Sequence, residues 1–303
     1  MTIEAPQRPP HDDRRYRRRR LVVGVALLAI LALLITALDS GGSGGHRHAA
    51  ATPDPASHRA APASPTPTER EAQTKAPEEK AVDNVLSYTP AVTSGAGKGH
   101  ELALTFDDGP GPYTEQLVGV LDRLHVRATF FAIGEEERYF SEGTKLELRS
   151  GDVVGDHTET HPMMASLSAH DQREELVEQI ARLELLGGPR PRLFRPPYGS
   201  FNATTFHILH QLHLLMVLWS TDTSDYALPG VHAIVQSALA GAHPGAIILM
   251  HDAGGDRSET VAALPAIIRG LRKKGLEPVT VPRLMLDDPP PHGRPLPTSL
   301  AGD

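Results

Sequence analysis

The pattern of apolar and polar positions divides the chain into stretches of different character. Leu21 to Leu38 is an uncharged apolar run with no polar face, and residues 39–99 turn to Ala, Pro, Ser, Thr, Gly and charge with almost no aromatics. From Glu101 onward, apolar runs of strand length alternate with longer segments of helical period. Strands are expected at about 101–107, 128–134, 152–157, 192–195, 214–220, 245–251 and 277–281. Helices are expected between them, at about 114–125, 135–150, 168–186, 202–213, 231–240 and 258–274. The 168–186 segment has the clearest limits: Ser168 stands three residues before Asp171 as a capping-box variant, and Gly187-Gly188-Pro189 stops the helix. Repeated strand–helix units imply an α/β fold with a parallel sheet, and about seven of them suit a barrel or incomplete barrel. Active residues of such a fold belong at the C-terminal ends of its strands.

The run from Leu21 to Leu38 is about the length that crosses a bilayer, and Arg14-Arg15-Tyr16-Arg17-Arg18-Arg19-Arg20 lies directly before it. Positive charge on that side predicts a single-pass transmembrane anchor with the basic tail, residues 1–20, inside the cell and the rest outside. The rival reading is a cleavable signal peptide, for which Ile35-Thr36-Ala37 is a tolerable site, although the run is long for such a region. The paired arginines also permit a twin-arginine export signal, a weak pattern inside so dense a basic run. Residues 39–99, rich in Ala, Pro, Ser, Thr and Gly, read as a disordered linker in which His46, His48 and His58 are solvated. Residues 284–303, Pro-rich after Asp287, read as a loose tail.

A formal net charge of −7 gives no reason to expect a nucleic-acid partner, because the basic run is local. The chain has no cysteine, which removes disulfides and thiolate metal sites. Any metal must then be held by His, Asp, Glu and water. We expect a monomer.

Candidate chemistry collects at the strand ends. The first strand stops at Asp107-Asp108 followed by Gly109-Pro110. Successive strand residues point to opposite sides, so these two acids can do different work. The later strands end at Asp156-His157, Arg195-Pro196-Pro197-Tyr198, Asp222 to Asp225 and His251-Asp252, all on the same rim of the expected sheet. His157 and His161 are four apart, so on a helical turn their imidazoles would share a face and hold one metal. With a carboxylate such as Asp108 they would form a facial triad with open positions for water and substrate. Zinc suits a hydrolytic site best, while cobalt, manganese, nickel and iron can use the same ligands. Glu159 is misplaced for a zincin, whose acid directly follows the first histidine, which argues against a metallopeptidase.

Thr105-Phe106-Asp107-Asp108-Gly109-Pro110, His157-Thr158-Glu159-Thr160-His161, Arg195-Pro196-Pro197-Tyr198-Gly199, Asp222-Thr223-Ser224-Asp225-Tyr226 and Ile247-Ile248-Leu249-Met250-His251 resemble, in order, the five motifs of NodB-like polysaccharide deacetylases, carbohydrate esterase family 4. The resemblance covers residues 100–283 and implies a distorted (β/α)7 barrel that removes acetyl groups from N-acetylated sugars with a metal's help. By position it implies Asp107 as general base, Asp108, His157 and His161 as metal ligands, and Arg195 as the residue orienting Asp107. It likewise implies the Tyr198 N–H as an oxyanion donor, His251 as general acid, Asp225 as its partner, and Leu249 as a wall for the acetyl methyl. The fourth motif usually ends in Trp; here Tyr226 keeps an aromatic wall and adds a hydroxyl, which bears on the sugar groove. The chemistry asks for the same residue types, because an amine is a poor leaving group and needs a protonated acid such as a carboxylate-paired histidine.

The expected activity is N-deacetylation of a cell-surface glycan, peptidoglycan first because it lies just outside the membrane and chitin-like oligosaccharides second. An acetylxylan-type O-deacetylase and a catalytically silent wall-binding domain are the alternatives. Elsewhere the bland readings apply: His207, His210 and His213 mark an exposed helix face, and His125, His170, His232 and His243 default to surface. Phe130, Phe131 and Trp219 are expected in the core, and Asp252 as a cap on the segment that follows it.

Overall fold

The computed structural model describes residues 67–299. The chain runs through α1 (Pro67–Leu86), β1 (Ala91–Val92), β2 (Glu101–Asp107), α2 (Thr114–Arg123), β3 (Thr129–Ala132), α3 (Gly134–Ser150) and β4 (Val153–Asp156). It continues through α4 (Ala169–Leu185), β5 (Leu193–Phe194), α5 (Ala203–Leu212), β6 (Leu215–Val217) and β7 (Thr221–Asp222). The last elements are α6 (Val231–Gly241), β8 (Ile247–His251), α7 (Ser258–Lys273), β9 (Glu277–Val279) and α8 (Val281–Asp287). The strands lie in the order β1-β6-β5-β4-β3-β2-β8-β7, with β9 beside the first half of β2. Every pairing of these strands is parallel. Among the described residues nothing pairs β1 with β7, so the sheet is a half-barrel and not a closed one.

β2 organises both faces by its period of two. Leu102, Leu104 and Phe106 pack outward into a cluster with Leu117, Leu121, Ile248, Leu264 and Ile267. Ala103 points the other way, into a cluster with Leu193, Leu215, Ile247 and Leu284. The same inward row continues upward as Thr105 and then Asp107, both buried, so a single strand carries apolar filling at the bottom and polar groups at the rim. Helix α7 shows the matching pattern of a covering helix, burying Ala263, Leu264, Ile267, Ile268 and Leu271.

The strand expected at 214–220 shortens to β6, and a separate strand, β7, follows beyond it; the two pair with different neighbours, β6 with β1 and β5, and β7 with β8. The break is where the barrel departs from regularity. Arg195 donates to the carbonyls of Val217 and Leu218 there, at 3.0 and 3.2 Å.

Two expectations of looseness need correction. The linker expected over 39–99 contains α1 and β1, and the tail expected over 284–303 begins inside α8 and is tied back at points as far as Ser299, although most of 291–299 is exposed. Composition averaged over sixty residues hides the reason, which is a few apolar side chains: Val82 and Val85 of α1 bury against Val281, Leu284 and Met285, and Ala91–Val92 add an edge to β6. Tail and linker also hold each other. The Tyr88 ring stacks on His292 at 3.8 Å and its hydroxyl donates to Pro290, Asp288 accepts from the N–H groups of Gly97 and Lys98, and Arg294 donates to Ser94 and Gly95. The expected anchor, Leu21 to Leu38, lies outside the described residues; among those described, no helix is long and apolar enough to cross a membrane.

Candidate active site

Strand ends bring the first group of side chains together. Asp107 and His251 are Cα partners on neighbouring strands, which places an acid and an imidazole side by side at the rim. Arg195, wholly buried, reaches across the barrel interior; its Nη1 donates to Asp107 Oδ1 at 2.7 Å and to Thr105 Oγ1 at 2.8 Å. Its guanidinium lies 4.2 Å from the Phe131 ring centroid and 5.6 Å from that of Trp219. A charge taken so far from water persists only when it is paired and its donors are used, and here Nε and both terminal nitrogens are bonded. Thr105 was not singled out by sequence, although its place two residues before Asp107 puts it on the same face.

The second group hangs from loops. Asp108, one residue past β2, has φ of 72°, a left-handed conformation that turns its carboxylate away from that of Asp107. Its Oδ1 stands 3.1 Å from His161 Nε2 and 3.6 Å from His157 Nε2. Asp108, His157 and His161 thus form a three-residue group whose ligand atoms all lie within 4.8 Å of one another. The donor set fits a divalent ion, since ligand atoms about 2.0–2.1 Å from a tetrahedral centre stand about 3.3 Å apart. His157 Nδ1 lies 2.6 Å from the Arg195 carbonyl, so it carries the proton and leaves the Nε2 lone pair for a ligand. Burial lowers the pKa of His161 against the pull of Asp108, which favours its neutral, ligand form. For Asp108 burial acts upward, and the two histidines outweigh it and hold the carboxyl well below its usual range.

The histidine pair does not sit on a helical turn. Residues 157–163 are loop, and Thr158 and His161 have φ of 72° and 60°. The two rings meet because the chain turns twice through the left-handed region, at a ring-centroid distance of 4.9 Å.

His251 completes the rim. Its Nδ1 is 2.8 Å from Asp225 Oδ1, and its backbone N–H donates to Asp225 Oδ2 at 2.9 Å. Thr260 donates to the same carboxylate at 2.7 Å. Burial pulls the His251 pKa down, but the hydrogen bond and charge of Asp225 win and raise it to about 9. Tyr226 sets its ring edge-on to His251 at 5.4 Å, and Tyr198 stands opposite, its hydroxyl 3.2 Å from His161 Nδ1. Both tyrosines are about half exposed and face the open side. Tyr198 has φ of 59°, inside a 3-10 turn at Pro197–Gly199, and Leu249 lies buried on β8 two residues before His251.

Asp252 bonds back to α2 instead of capping the segment after it. It is fully buried, accepts from Thr114 Oγ1, and leaves Oδ1 without a partner. Burial, backed by the negative field of Asp108 and Asp107, lifts it to about 7. A Cβ at position 109 would collide with this carboxylate, which is why Gly follows the acid pair. His207, His210 and His213 are exposed, as are His125, His170, His232 and His243.

Residues 94–217 match the family model for polysaccharide deacetylase. The chain is 39% identical over 187 residues to a peptidoglycan-N-acetylglucosamine deacetylase of Bacillus cereus, covering 61% of this chain and 87% of that one. It is 36% identical over 195 residues to a chitooligosaccharide deacetylase of Bradyrhizobium, covering 60% and 89%. Among solved structures, the Bc1960 peptidoglycan N-acetylglucosamine deacetylase, bound to an N-hydroxybenzamide compound, superposes with a TM-score of 0.64 at 32% identity, over 68% of this chain and 97% of that one. Likeness of that extent in both sequence and fold makes the chain a member of the NodB-like polysaccharide deacetylases.

Proposed function

We propose that the chain hydrolyses acetamido groups of a wall glycan, with N-acetyl sugars of peptidoglycan as the first substrate and chitin-like oligosaccharides as the second. The observation that carries this reading is that two groups held by ion pairs, Asp107 by Arg195 and His251 by Asp225, stand on adjacent strand ends beside the Asp108–His157–His161 set. Relatives named for peptidoglycan and for chitooligosaccharide deacetylation support the substrate class. Zn2+ is the ion we assign, and once bound it supplies Lewis acidity toward the acetyl oxygen and toward water.

The remaining work falls to side chains. Asp107, oriented by Arg195, takes the proton of the attacking water as its oxygen bonds to the acetyl carbon. The Tyr198 N–H donates to the oxyanion that develops. His251 then gives its proton to the nitrogen as the C–N bond breaks, releasing acetate and a free amine. Asp225 keeps that imidazole charged until the proton is needed. Leu249 walls the acetyl methyl, and Tyr226 offers a ring face to the sugar. Acetate release from peptidoglycan should disappear on chelation and return with Zn2+; a zinc-replete protein that releases no acetate from any N-acetylated glycan overturns the reading.

We further assign the catalytic domain to the outer face of the cell membrane, tethered as a monomer by Leu21 to Leu38. The support is the apolar run with arginines on one side. An intact N-terminus on membrane-associated protein is the expected finding, and a mature chain starting near Leu38 would contradict it.

A further inference from the structure

A five-residue loop, His157 to His161, carries two of the three prospective ligands without belonging to helix or strand. Such a loop must find partners for its backbone elsewhere. Each of its five N–H groups is taken. His157 donates to the Ala132 carbonyl, Thr158 to Asp156 Oδ1, Glu159 to the Glu175 carbonyl, Thr160 to Glu175 Oε2 and His161 to Thr158 Oγ1, all between 2.8 and 3.1 Å. The Thr158 and Glu159 carbonyls accept from Gly134 and Glu135, the opening N–H groups of α3.

Two side chains fasten this loop to the helices. Glu175 of α4, almost fully buried, accepts from both the N–H and the hydroxyl of Thr160 at 2.8 Å each. Glu159 turns inward, away from the ligand face, and is bound by Arg138 of α3 at 2.5 Å and by Arg182 of α4 at 2.8 Å. Its side chain is 3% exposed, so both guanidinium groups answer a charge removed from water. Space for it comes from Gly134, where a Cβ would collide with the Glu159 carboxylate.

We infer that Glu175 and the Arg138–Glu159–Arg182 cluster form a clamp that fixes the left-handed turn presenting His161, and so set the affinity of the Asp108–His157–His161 group for its metal. These are positioning residues: none touches the ligand atoms, and each acts through the loop. The inference rests on the metal reading under Proposed function. Its logic is that of outer-shell partners generally, whose loss costs about 10- to 100-fold in metal affinity.

The test uses the full chain and Zn2+ alone, with affinity measured by competition against a chromophoric chelator and geometry by the visible spectrum of the Co2+-loaded protein. Glu175→Ala should bind Zn2+ about 10- to 100-fold more weakly and alter the Co2+ spectrum. Glu175→Gln should restore affinity to within a few-fold, because its amide can accept from the Thr160 N–H and donate to the Thr160 hydroxyl. Arg138→Gln, at a side chain 40% exposed, should weaken binding in the same direction by less. If the parent chain binds Zn2+ and a folded Glu175→Ala binds it as tightly with an unchanged Co2+ spectrum, the clamp is overturned and the metal reading stands. If Glu175→Ala is unfolded, unchanged affinity in Arg138→Gln overturns it instead. A parent chain that takes up no Zn2+ overturns both.

Discussion

Asp107 and His251 stand on adjacent strands in register, whereas His161 and Asp108 are presented from left-handed loop residues a few ångströms away. The strand-held pair inherits its geometry from the sheet ladder, and its neighbours Thr105, Arg195 and Leu249 occupy the same inward row or the barrel behind it. The loop-held group has no ladder and depends on side-chain carboxylates, Asp156 and Glu175, to satisfy its backbone. One site therefore combines a strand-held half with a half whose shape is set by hydrogen bonds to Asp156 and to the surrounding helices.

The sharpest way to break this division is at its boundary, where two adjacent carboxylates fall on different sides. Asp107→Asn should leave Zn2+ affinity near that of the parent and lower kcat about 10³-fold, the scale of a lost general base. Asp108→Asn should lose metal first, with activity following metal content. Acetate release measured beside metal analysis separates the two; equal metal loss in both variants would erase the boundary.

A smaller effect tests the proton-donating end of the strand-held half. Asp225 raises the His251 pKa to about 9 against burial. On the proposed reading His251 must be protonated to release the amine, so activity should fade as pH rises through that pKa. Asp225→Asn removes the charge that holds the proton, and the alkaline limb of kcat/KM should move to lower pH, toward the ordinary histidine value of about 6.5. A bound cation lowers the pKa in both proteins, so the comparison keeps its sign. An unmoved limb would detach Asp225 from His251's task.

The same division explains what could be read from the sequence. Strand-held positions follow a period of two, so the rim could be located from strand ends alone, and Arg195 and His251 fell on it. The spacing of His157 and His161 suggested a helical turn, yet their meeting comes from φ values at Thr158 and His161 that residue type does not announce. Long-range partners were equally hidden: nothing local marks Glu175 as the acceptor for Thr160, or Asp252 as a buried acid beneath Gly109. Composition misled most where averages diluted a few buried residues, as with Val82 and Val85 in the supposed linker.

The smallest expected effect lies at Tyr226, which touches both halves' opening but neither's support. Its hydroxyl is 3.5 Å from Asp222 Oδ2, too long to fix the ring firmly, and its edge-on contact with His251 is through ring atoms that a larger aromatic can also supply. Tyr226→Trp should therefore leave kcat within about threefold, since no proton-transfer group moves. The indole adds apolar face to an exposed wall, and a sugar stacking there gains at most about 1 kcal/mol, so KM for an oligosaccharide should fall by up to about fivefold. A single N-acetyl sugar, which need not reach that wall, should show less change than a longer chain. A large drop in kcat would mean instead that the phenol positions His251, and the strand-held half would then extend beyond the sheet to its first exposed aromatic residue.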